Sequence, residues 1–442
     1  MIEGGGRSPL KIGWLVLLLH ICLEHRWLGP ADSSCAPALL VDEANGQHCA
    51  VSPAGDANRD GCPDFLVSHC DATKLGRAWI VSGRDRGILQ AFVGESMGDG
   101  FGCSLCGAGD IDHDGYDDVV IGSNGSGAYI FSGKTGGVLV RVSDPEWKMA
   151  GIGKAVAGGV DVNQDGYCDL LVGAPGLARR TRGRVTVVSG REGARLRVLE
   201  GDQLTKMHGL FRRTYVYDEF GTSVAFLGDV NSDGVSDIAV GAPGREKHGD
   251  VVGAVDILDG RNGARLFSIL GDEPGFGLGW AVAGAGDING DGTPDIVATC
   301  IHRYVTVVSG KDGRELWRAE YRVGDMNAFG SSIDRLGDLN SDGCSDIIVG
   351  ANENGPDLGN DRGSATVYSG RDGTVLIAIE DPHDGMDVSR IGDPNTDGVQ
   401  DYLVNLRDHK TVVCHSGRDG SILWEWNIQP RAQGAIRKNV GH

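Results

Sequence analysis

The chain has 442 residues, of which 40% are hydrophobic and 23% charged, and 61 acidic residues outnumber 41 basic ones to give a formal net charge of −20. This hydrophobic content is too high for an acidic disordered chain, so the charge belongs to a folded protein. A strongly negative protein also disfavours a nucleic-acid partner, because binding to phosphates relies on clustered Lys and Arg.

The N-terminus has the pattern of a secretory signal peptide. Arg7 and Lys11 precede an apolar run from Ile12 to Leu23, and small residues follow around Gly29. The run has about a dozen residues, against roughly 20 in a membrane span. We therefore predict a signal peptide over residues 1–31, a secreted or cell-surface protein after its cleavage, and no stable membrane span. A retained anchor is the alternative interpretation.

The most informative feature is a nine-residue loop that occurs seven times. Each copy has the pattern Asp-x-(Asp/Asn)-x-Asp-Gly-x-x-Asp and continues into a short apolar strand. A repeat period near fifty residues is typical of a propeller or an array. The copies start 51 to 68 residues apart, at Asp56, Asp110, Asp161, Asp229, Asp287, Asp338 and Asp393.

The loop composition predicts calcium sites. Oxygen donors at positions 1, 3, 5 and 9, a turn-forming Gly at position 6 and a backbone carbonyl at position 7 suit the seven-coordinate oxygen shell that Ca²⁺ prefers. We predict up to seven ions, one in each loop. The predicted ligands, in chain order, are Asp56, Asn58, Asp60, Cys62, Asp64, Asp110, Asp112, Asp114, Tyr116, Asp118, Asp161, Asn163, Asp165, Tyr167, Asp169, Asp229, Asn231, Asp233, Val235, Asp237, Asp287, Asn289, Asp291, Thr293, Asp295, Asp338, Asn340, Asp342, Cys344, Asp346, Asp393, Asn395, Asp397, Val399 and Asp401.

Two other calcium architectures do not fit the spacing. An EF-hand closes with Glu at position 12, where every copy here has Val, Ile or Ala. Tandem β-helix repeats would recur about every nine residues. The loops must therefore be closed by their own position 9.

Each loop belongs to the same four-strand unit. Upstream lies a small apolar strand, downstream a run rich in Val and Ile, and then a hairpin with Gly and Asp or Asn at its turn. Seven such units predict an all-β fold, a seven-bladed β-propeller over residues 47–428 with a calcium loop in each blade. Residues 32–46 form a lead-in, in which Ala38 to Val41 could complete the last blade, and residues 429–442 form a short polar tail.

These motifs resemble the FG-GAP repeats of integrin α-subunit propellers and their relatives. Phe-Gly pairs lead four units, and Gly-Ala-Pro follows the second strand at Gly173 to Pro175 and at Gly241 to Pro243. The Phe-Gly pairs are Phe101-Gly102, Phe220-Gly221, Phe276-Gly277 and Phe329-Gly330. The resemblance covers residues 47–428 and implies a calcium-bearing propeller. Vertebrate members carry calcium loops in only some blades, whereas all seven loops are intact here. We expect neither the inserted ligand-binding domain nor the leg region, so the resemblance implies the propeller and its ions rather than integrin-type receptor function.

No catalytic motif is visible. The sequence has no Gly-x-Ser-x-Gly elbow, no His-Glu-x-x-His and no Cys-x-x-Cys pair that couples to a second pair or to His ligands at zinc spacing. We predict that the protein is not an enzyme. Its cysteines are expected to be buried small side chains, with a few disulfides. The tracts ending at Trp317 and Trp424 resemble the Gly-x-x-x-Trp docking of quinoprotein propellers. Because only two units have this Trp, packing between blades is the preferred interpretation.

The third unit carries an unusual basic and aromatic insertion. Its loop between the second and third strands carries Arg179 and Arg180, and its link to the next unit is lengthened: 24 residues separate Leu196 from Phe220, against 12 from Leu89 to Phe101. On an acidic protein, such a patch would suit an anionic glycan or an acidic protein surface. The alternative is a solvated loop whose arginines pair with nearby acids. The predicted ligand-binding residues are Arg179, Arg180, Arg212, Arg213, Tyr215 and Tyr217.

Together these observations predict a secreted, calcium-binding β-propeller that acts as a non-catalytic binding or adhesion module for glycan or protein ligands. The alternative function is a propeller enzyme, such as a polysaccharide lyase or hydrolase, or a quinoprotein.

Overall fold

The computed structural model shows an all-β protein without α-helices in the residues that it describes. The predicted signal peptide, the lead-in with Ala38 to Val41, and the polar tail all lie outside these residues. The described ranges are 47–71, 74–144, 150–176, 182–202, 205–208, 213–216, 218–321, 327–353, 363–381, 386–406 and 411–428.

Seven antiparallel sheets follow one another along the chain and form the seven blades. Blade 1 contains β1 (Gln47–His48), β2 (Val51–Gly55), β3 (Asp64–Asp71), β4 (Arg77–Val81) and β5 (Ile88–Val93). Blade 2 contains β6 (Phe101–Gly109), β7 (Asp118–Ser123), β8 (Gly127–Phe131) and β9 (Val138–Val142). Blade 3 contains β10 (Ala155–Val160), β11 (Asp169–Ala174), β12 (Arg184–Val188) and β13 (Arg195–Glu200).

The remaining blades repeat this arrangement. Blade 4 contains β16 (Ser223–Gly228), β17 (Asp237–Ala242), β20 (Ala254–Leu258) and β21 (Arg265–Leu270). Blade 5 contains β22 (Leu278–Gly286), β23 (Asp295–Cys300), β24 (Tyr304–Val308) and β25 (Glu315–Glu320). Blade 6 contains β26 (Asn327–Arg335), β27 (Ile347–Glu353), β28 (Gly363–Tyr368) and β29 (Val375–Asp381). Blade 7 contains β30 (Met386–Gly392), β31 (Asp401–Leu406), β32 (Thr411–His415) and β33 (Ile422–Asn427).

Three features depart from the simple four-strand meander. In blade 1, β1 and β2 both pair with β3, so together they take the place of the first strand. The insertion after blade 3 contains a two-stranded hairpin, β14 (Thr205–His208) with β15 (Arg213–Val216). A second small hairpin lies within blade 4, where β18 (Glu246–Lys247) pairs with β19 (Asp250–Val251).

The sequence of each strand accounts for its place in the blade. In blades 2 to 5 the second strand begins with the position 9 Asp and continues mainly with Val, Ile, Leu, Gly and Ala, and every residue of it is buried. The fourth strands consist mainly of exposed and half-buried residues, as expected at an outer edge. The first strands line a central channel of about 1020 Å³.

Seven hydrophobic clusters fill the seven interfaces between neighbouring blades. The cluster between blades 7 and 1 contains Phe65 and Leu403, and Trp424 stacks on Phe65 with ring centroids 5.2 Å apart. Across the same interface the Val51 N–H donates to Asp387 Oδ2 at 3.0 Å. In the described residues each blade is built from one continuous stretch of chain, so these contacts close the ring by packing.

The Phe-Gly leader was misplaced in one blade. Phe101, Phe220 and Phe329 are fully buried at the start of the first strand, each followed by a Gly with φ between 82° and 92°. In blade 5 this position belongs to Leu278, which pairs with Cys300, and to Gly279 with φ of 94°. The prediction of Phe276-Gly277 was therefore wrong by two residues, because the site requires a large apolar side chain before a left-handed Gly rather than an aromatic ring.

Candidate metal centres

Each acidic loop connects the first and second strands of its blade and folds around the carboxylate at position 1. In loop 1, Asp56 accepts hydrogen bonds from the Asp60 N–H and the Gly61 N–H, both at 2.9 Å. The same two bonds recur in the other six loops. The residue at position 4 and the Gly at position 6 have positive φ in every loop. The turn that was inferred from the sequence is therefore formed in all seven copies.

Positions 3, 5 and 7 bring further oxygens to the same side of the loop. In loop 1, Asn58 Oδ1 accepts the Asp60 N–H at 2.9 Å, and Asp60 Oδ1 accepts the Cys62 N–H at 2.8 Å. The bond from the position 7 N–H to the position 5 carboxylate is present in every loop. It holds the predicted carbonyl donor beside the predicted carboxylate donor.

The carboxylate at position 9 is the most deeply placed part of each site. All seven of these aspartates are 0% exposed. One oxygen of each accepts a backbone N–H from the Gly in the turn between the third and fourth strands, at 2.9–3.3 Å. We call this turn the docking hairpin; it comprises residues 82–87, 132–137, 189–194, 259–264, 309–314, 369–374 and 416–421. Position 9 thus closes the loop and ties it to the hairpin.

Burial of the position 9 carboxylates raises their pKa, because desolvation penalises the charged form. Desolvation raises the pKa of Asp64 to about 7 and those of Asp118, Asp169 and Asp401 to about 6. The pKa values of Asp237, Asp295 and Asp346 are raised by the same cause. A cation at the loop would favour the charged form and reverse these shifts.

Direct convergence of carboxylates is clearest in loop 2, which has Asp rather than Asn at position 3. Oxygen atoms of Asp110, Asp112 and Asp118 all lie within 4.8 Å of one another. Three other predicted ligand atoms are buried without a hydrogen-bond partner, namely Asp64 Oδ2, Asn231 Oδ1 and Asp401 Oδ2. Buried oxygens without donors are costly unless a cation or water satisfies them. The residues therefore fit a hard divalent cation such as Ca²⁺.

A basic residue beside each loop was not recognised from the sequence, although its pattern is visible there. The Gly that donates to position 9 is the second residue of each docking hairpin, and the residue after it is Arg or Lys in all seven blades. In blades 1, 2, 4, 6 and 7 it forms an ion pair of 3.2–3.8 Å with the position 5 carboxylate. In blade 3, Arg191 instead lies over the ring of Tyr167, 5.0 Å from its centroid. These cations offset part of the negative charge of the loops.

The fourth strand of each blade contacts the docking hairpin of the next blade. The Trp317 indole N–H of blade 5 donates to the Gly370 carbonyl of blade 6 at 2.5 Å. Arg197 and Gln90 make the corresponding bonds to Gly260 and Gly133 at 2.5 and 3.3 Å. The Trp tracts therefore serve packing between blades, as preferred from the sequence.

The predicted basic and aromatic patch lies largely outside the described residues. Arg179, Arg180, Arg212 and Tyr217 fall outside them, and Arg213 and Tyr215 are described only as backbone positions of β15. Of the neighbouring arginines, Arg182 and Arg184 pair with Glu200 at 3.6 and 3.5 Å. That pairing is the one expected of a solvated loop, and the ligand-binding role of the other residues stays a prediction.

No disulfide joins any two of the nine cysteines that the structure describes, so the expected disulfides are not found among them. Six are buried, and burial raises the pKa of Cys70 and Cys300 to about 12. Thiols held in the protonated form are poor nucleophiles. These cysteines therefore behave as small core side chains.

Comparison with known proteins supports the FG-GAP assignment. The FG-GAP repeat family matches residues 101–140, 153–188 and 220–258, and the FG-GAP-like repeat family matches residues 287–349. Phosphatidylinositol-glycan-specific phospholipase D of Bos taurus is 40% identical over 147 residues, which cover 31% of this chain and 17% of that protein. Integrin alpha-2 of Mus musculus is 28% identical over 224 residues, which cover 47% of this chain and 18% of the integrin. Integrin alpha-5 of Xenopus laevis is 37% identical over 153 residues, or 31% of this chain and 13% of the integrin.

The matched segment spans less than a fifth of the length of each of these relatives. In the described residues no helix has the length and apolar character needed to cross a membrane. The repeats matched in blades 2 to 6, the buried leader residues and the four-stranded blades agree with one another. The chain therefore carries FG-GAP repeats and folds as a β-propeller, and segments of it are similar in sequence to integrin α-subunits and to phosphatidylinositol-glycan-specific phospholipase D.

Proposed function

We propose that this FG-GAP propeller is a secreted calcium-binding module that binds protein or glycan ligands and has no catalytic activity of its own. The observation that carries the proposal is the repetition of one oxygen-rich loop in seven blades, each with a buried carboxylate at position 9. A catalytic site would need one special set of residues, whereas a sevenfold repeat of the same site serves the framework.

The loop residues would hold Ca²⁺ through the carboxylates at positions 1, 5 and 9, the Asn or Asp side chain at position 3 and the carbonyl at position 7. Bound calcium would supply positive charge to carboxylates that are otherwise desolvated. The loop's own backbone N–H groups orient these carboxylates before any ion binds. Such preorganisation lowers the entropic cost of binding.

The similar proteins include integrins and a phospholipase D, so the absence of catalytic activity in this chain is part of our proposal. One relative is named a phospholipase D, and the aligned region covers 17% of it. We infer that the shared part is the repeat framework, because the matched families are FG-GAP repeats. Assay of the purified chain against phosphatidylinositol-glycan substrates and against polysaccharides tests this inference. Turnover that survives Asp291→Ala and is lost on changing a residue outside the loops would contradict a purely binding role.

An anionic ligand remains our proposal for the insertion after blade 3 and for the neighbouring loop of blade 3 that carries Arg179 and Arg180. The support is its extension into a hairpin, β14 with β15, and the basic and aromatic residues of its sequence. Replacing Arg179, Arg180, Arg212 and Arg213 by Ser should abolish binding on a glycan array or to an acidic protein while calcium content stays unchanged. Changes of surface charge away from buried contacts usually alter stability by within about 0.5 kcal/mol. Binding that survives the fourfold change would place the ligand site elsewhere.

Secretion rests on the signal-peptide pattern of residues 1–31. Extracellular calcium is high enough to fill even weak sites with dissociation constants of roughly 10⁻⁴ to 10⁻³ M. N-terminal sequencing of protein collected from the medium of expressing cells should find a start close to residue 32. Retention of the chain in the membrane fraction would favour the anchor interpretation.

A further inference from the structure

The docking hairpin of each blade lies between two sets of contacts. One set joins the hairpin to the acidic loop of its own blade, and the other joins it to the fourth strand of the preceding blade. The hairpin is therefore positioned to pass a change at its own loop to the fourth strand of the preceding blade.

Blade 6 shows the connection in a single residue. The Gly370 N–H donates to Asp346 Oδ1 at 3.0 Å, and Asp346 is position 9 of the loop. The Gly370 carbonyl accepts the Trp317 indole N–H from blade 5 at 2.5 Å. Arg371, the next residue, pairs with the Asp342 carboxylate at 3.8 Å and also donates to its carbonyl. A hydrogen bond to a carboxylate is strengthened by the charge, so the bond to Asp346 fixes the position of Gly370 and with it the carbonyl that Trp317 contacts.

Blades 2 and 4 repeat the same arrangement with different side chains. Gly133 donates to Asp118 at 3.1 Å and accepts from Gln90 of blade 1 at 3.3 Å. Gly260 donates to Asp237 at 2.9 Å and accepts from Arg197 of blade 3 at 2.5 Å. Since Trp, Gln and Arg all reach the corresponding carbonyl, the arrangement belongs to the backbone of the repeat.

In the docking hairpins of blades 3, 5 and 7 the contact is steric packing. The left-handed Gly of the docking hairpin lies directly against a side chain of the preceding blade. A Cβ placed on Gly193 would lie 2.5 Å from Val140, one on Gly313 would lie 3.3 Å from Phe267, and one on Gly420 would lie 2.8 Å from Ile377. At the ring closure the Trp426 N–H of blade 7 donates to the Arg86 carbonyl of blade 1 at 3.2 Å. All seven interfaces thus use the docking hairpin of the following blade.

We propose that the docking hairpin couples metal occupancy of one blade to the packing of the fourth strand of the preceding blade, with Gly370 and its equivalents as positioning residues. Loss of the ion from the loop of blade 6 would remove the positive charge that offsets the desolvation of Asp346. The hairpin would then become less ordered, and the hydrogen bond from the Trp317 indole of blade 5 to the Gly370 carbonyl would weaken. The fourth strand of blade 7 would keep its packing, because it docks on the hairpin of blade 1, which is held by its own loop. Loop 6 contacts blade 7 through Leu339, which packs against Gly417.

This proposal rests on the proposed calcium sites, so its test measures metal content and local stability together. Hydrogen exchange followed by mass spectrometry is compared for the wild type, Asp342→Ala and Asp291→Ala in millimolar calcium. In Asp342→Ala, the backbone amides of β25 in blade 5 should exchange about tenfold faster while β33 in blade 7 is unchanged. Asp291→Ala should instead expose β21 in blade 4 and leave β29 in blade 6 unchanged.

The outcomes separate the two proposals. If calcium content does not fall in either variant, the calcium sites are misassigned. If one ion is lost and the exchange of β25 stays at the wild-type rate, or rises equally in blades 5 and 7, the directional coupling is wrong although the sites stand.

A second variant tests the reverse effect, that of the blade interface on calcium affinity, and it leaves every predicted metal ligand in place. Because binding linkage is reciprocal, Trp317→Phe, which removes the indole donor, should weaken one calcium site about tenfold. Leu316→Ala on the same strand serves as a control for general loosening of β25. Calcium titration showing no weakened site in Trp317→Phe, or the same weakening in both variants, would overturn the coupling even if an aspartate variant failed to fold.

Discussion

At the scale of single residues, the acidic loop could be predicted almost completely from the sequence, because its pattern repeats in register. The backbone N–H groups that hold positions 1, 5 and 7 together lie where the pattern requires them. The tie from position 9 to the docking hairpin could not be predicted, since it joins residues 15 to 24 positions apart through a third strand. The basic residue after the hairpin Gly was visible as a repeat, but its contact with position 5 depends on the fold.

Loop 5 allows a residue that would bind the ion through its side chain to be compared with one that would bind it only through its backbone carbonyl. Asp291→Ala should remove a carboxylate donor and lower the calcium content by one ion per chain. Thr293→Ala should be nearly silent, because position 7 would contribute only its backbone carbonyl. Calcium content and thermal unfolding of the two variants are the measurements. Equal losses in both variants would show that the loop is misassigned.

Glu219 provides a prediction about pH that does not involve the loops. Its side chain is 1% exposed, Oε1 has no hydrogen-bond partner, and burial together with Asp218 raises its pKa to about 8. The folded state therefore favours the protonated form. The contribution of this group to stability is fully present below its unfolded pKa of about 4.5 and is lost as pH rises through 8.

At constant saturating calcium, the free energy of unfolding of the wild type should consequently fall more steeply between pH 5 and pH 8 than that of Glu219→Gln. A difference on the order of 4 kcal/mol is the upper bound for a shift of this size. Urea unfolding at several pH values measures it, with exposed Glu192→Gln as the control. Parallel pH profiles for the wild type and Glu219→Gln would contradict the assignment.

At the scale of elements, strand order and blade boundaries could be predicted because each blade is a continuous meander with turn residues between its strands. The leader of blade 5 could not be predicted, since Leu278 occupies the position that Phe occupies in blades 2, 4 and 6. Gly277 and Gly279 also allow two alternative registers for the pair. The contact between a fourth strand and the next hairpin also escaped prediction. Gln90, Val140, Arg197, Phe267, Trp317 and Ile377 share no property that a sequence pattern would reveal.

Gly373 tests how closely adjacent blades interlock. Its φ is 72°, and a Cβ there would lie 2.6 Å from the Trp317 ring. Gly373→Ala should therefore destabilise the protein by more than the roughly 1–2 kcal/mol that a left-handed conformation alone costs an L-residue. Gly275 has φ of 84° with nothing within 4 Å of the corresponding Cβ, so Gly275→Ala is the matched control. Equal destabilisation of the two variants in denaturant unfolding would mean that the Trp317 contact is not tight.

At the scale of the whole molecule, the seven interfaces, seven loops and seven docking hairpins form a closed ring in which no blade is isolated. The net charge of −20 is consistent with this account, because acidic residues are concentrated in the loops. The ligand surface is the part that neither the sequence nor the described residues define, since the insertion after blade 3 has no counterpart in the other units.

The central claim is that metal ions in the acidic loops hold the propeller together. Its most direct test is the calcium content of the purified chain at millimolar calcium, combined with thermal unfolding with and without a chelator. The account predicts up to seven ions per chain and a large loss of thermal stability in chelator, since each site at 100 times its dissociation constant stabilises the fold by about 2.7 kcal/mol. Fewer than four ions per chain, or an unfolding temperature that is indifferent to the chelator, would contradict it.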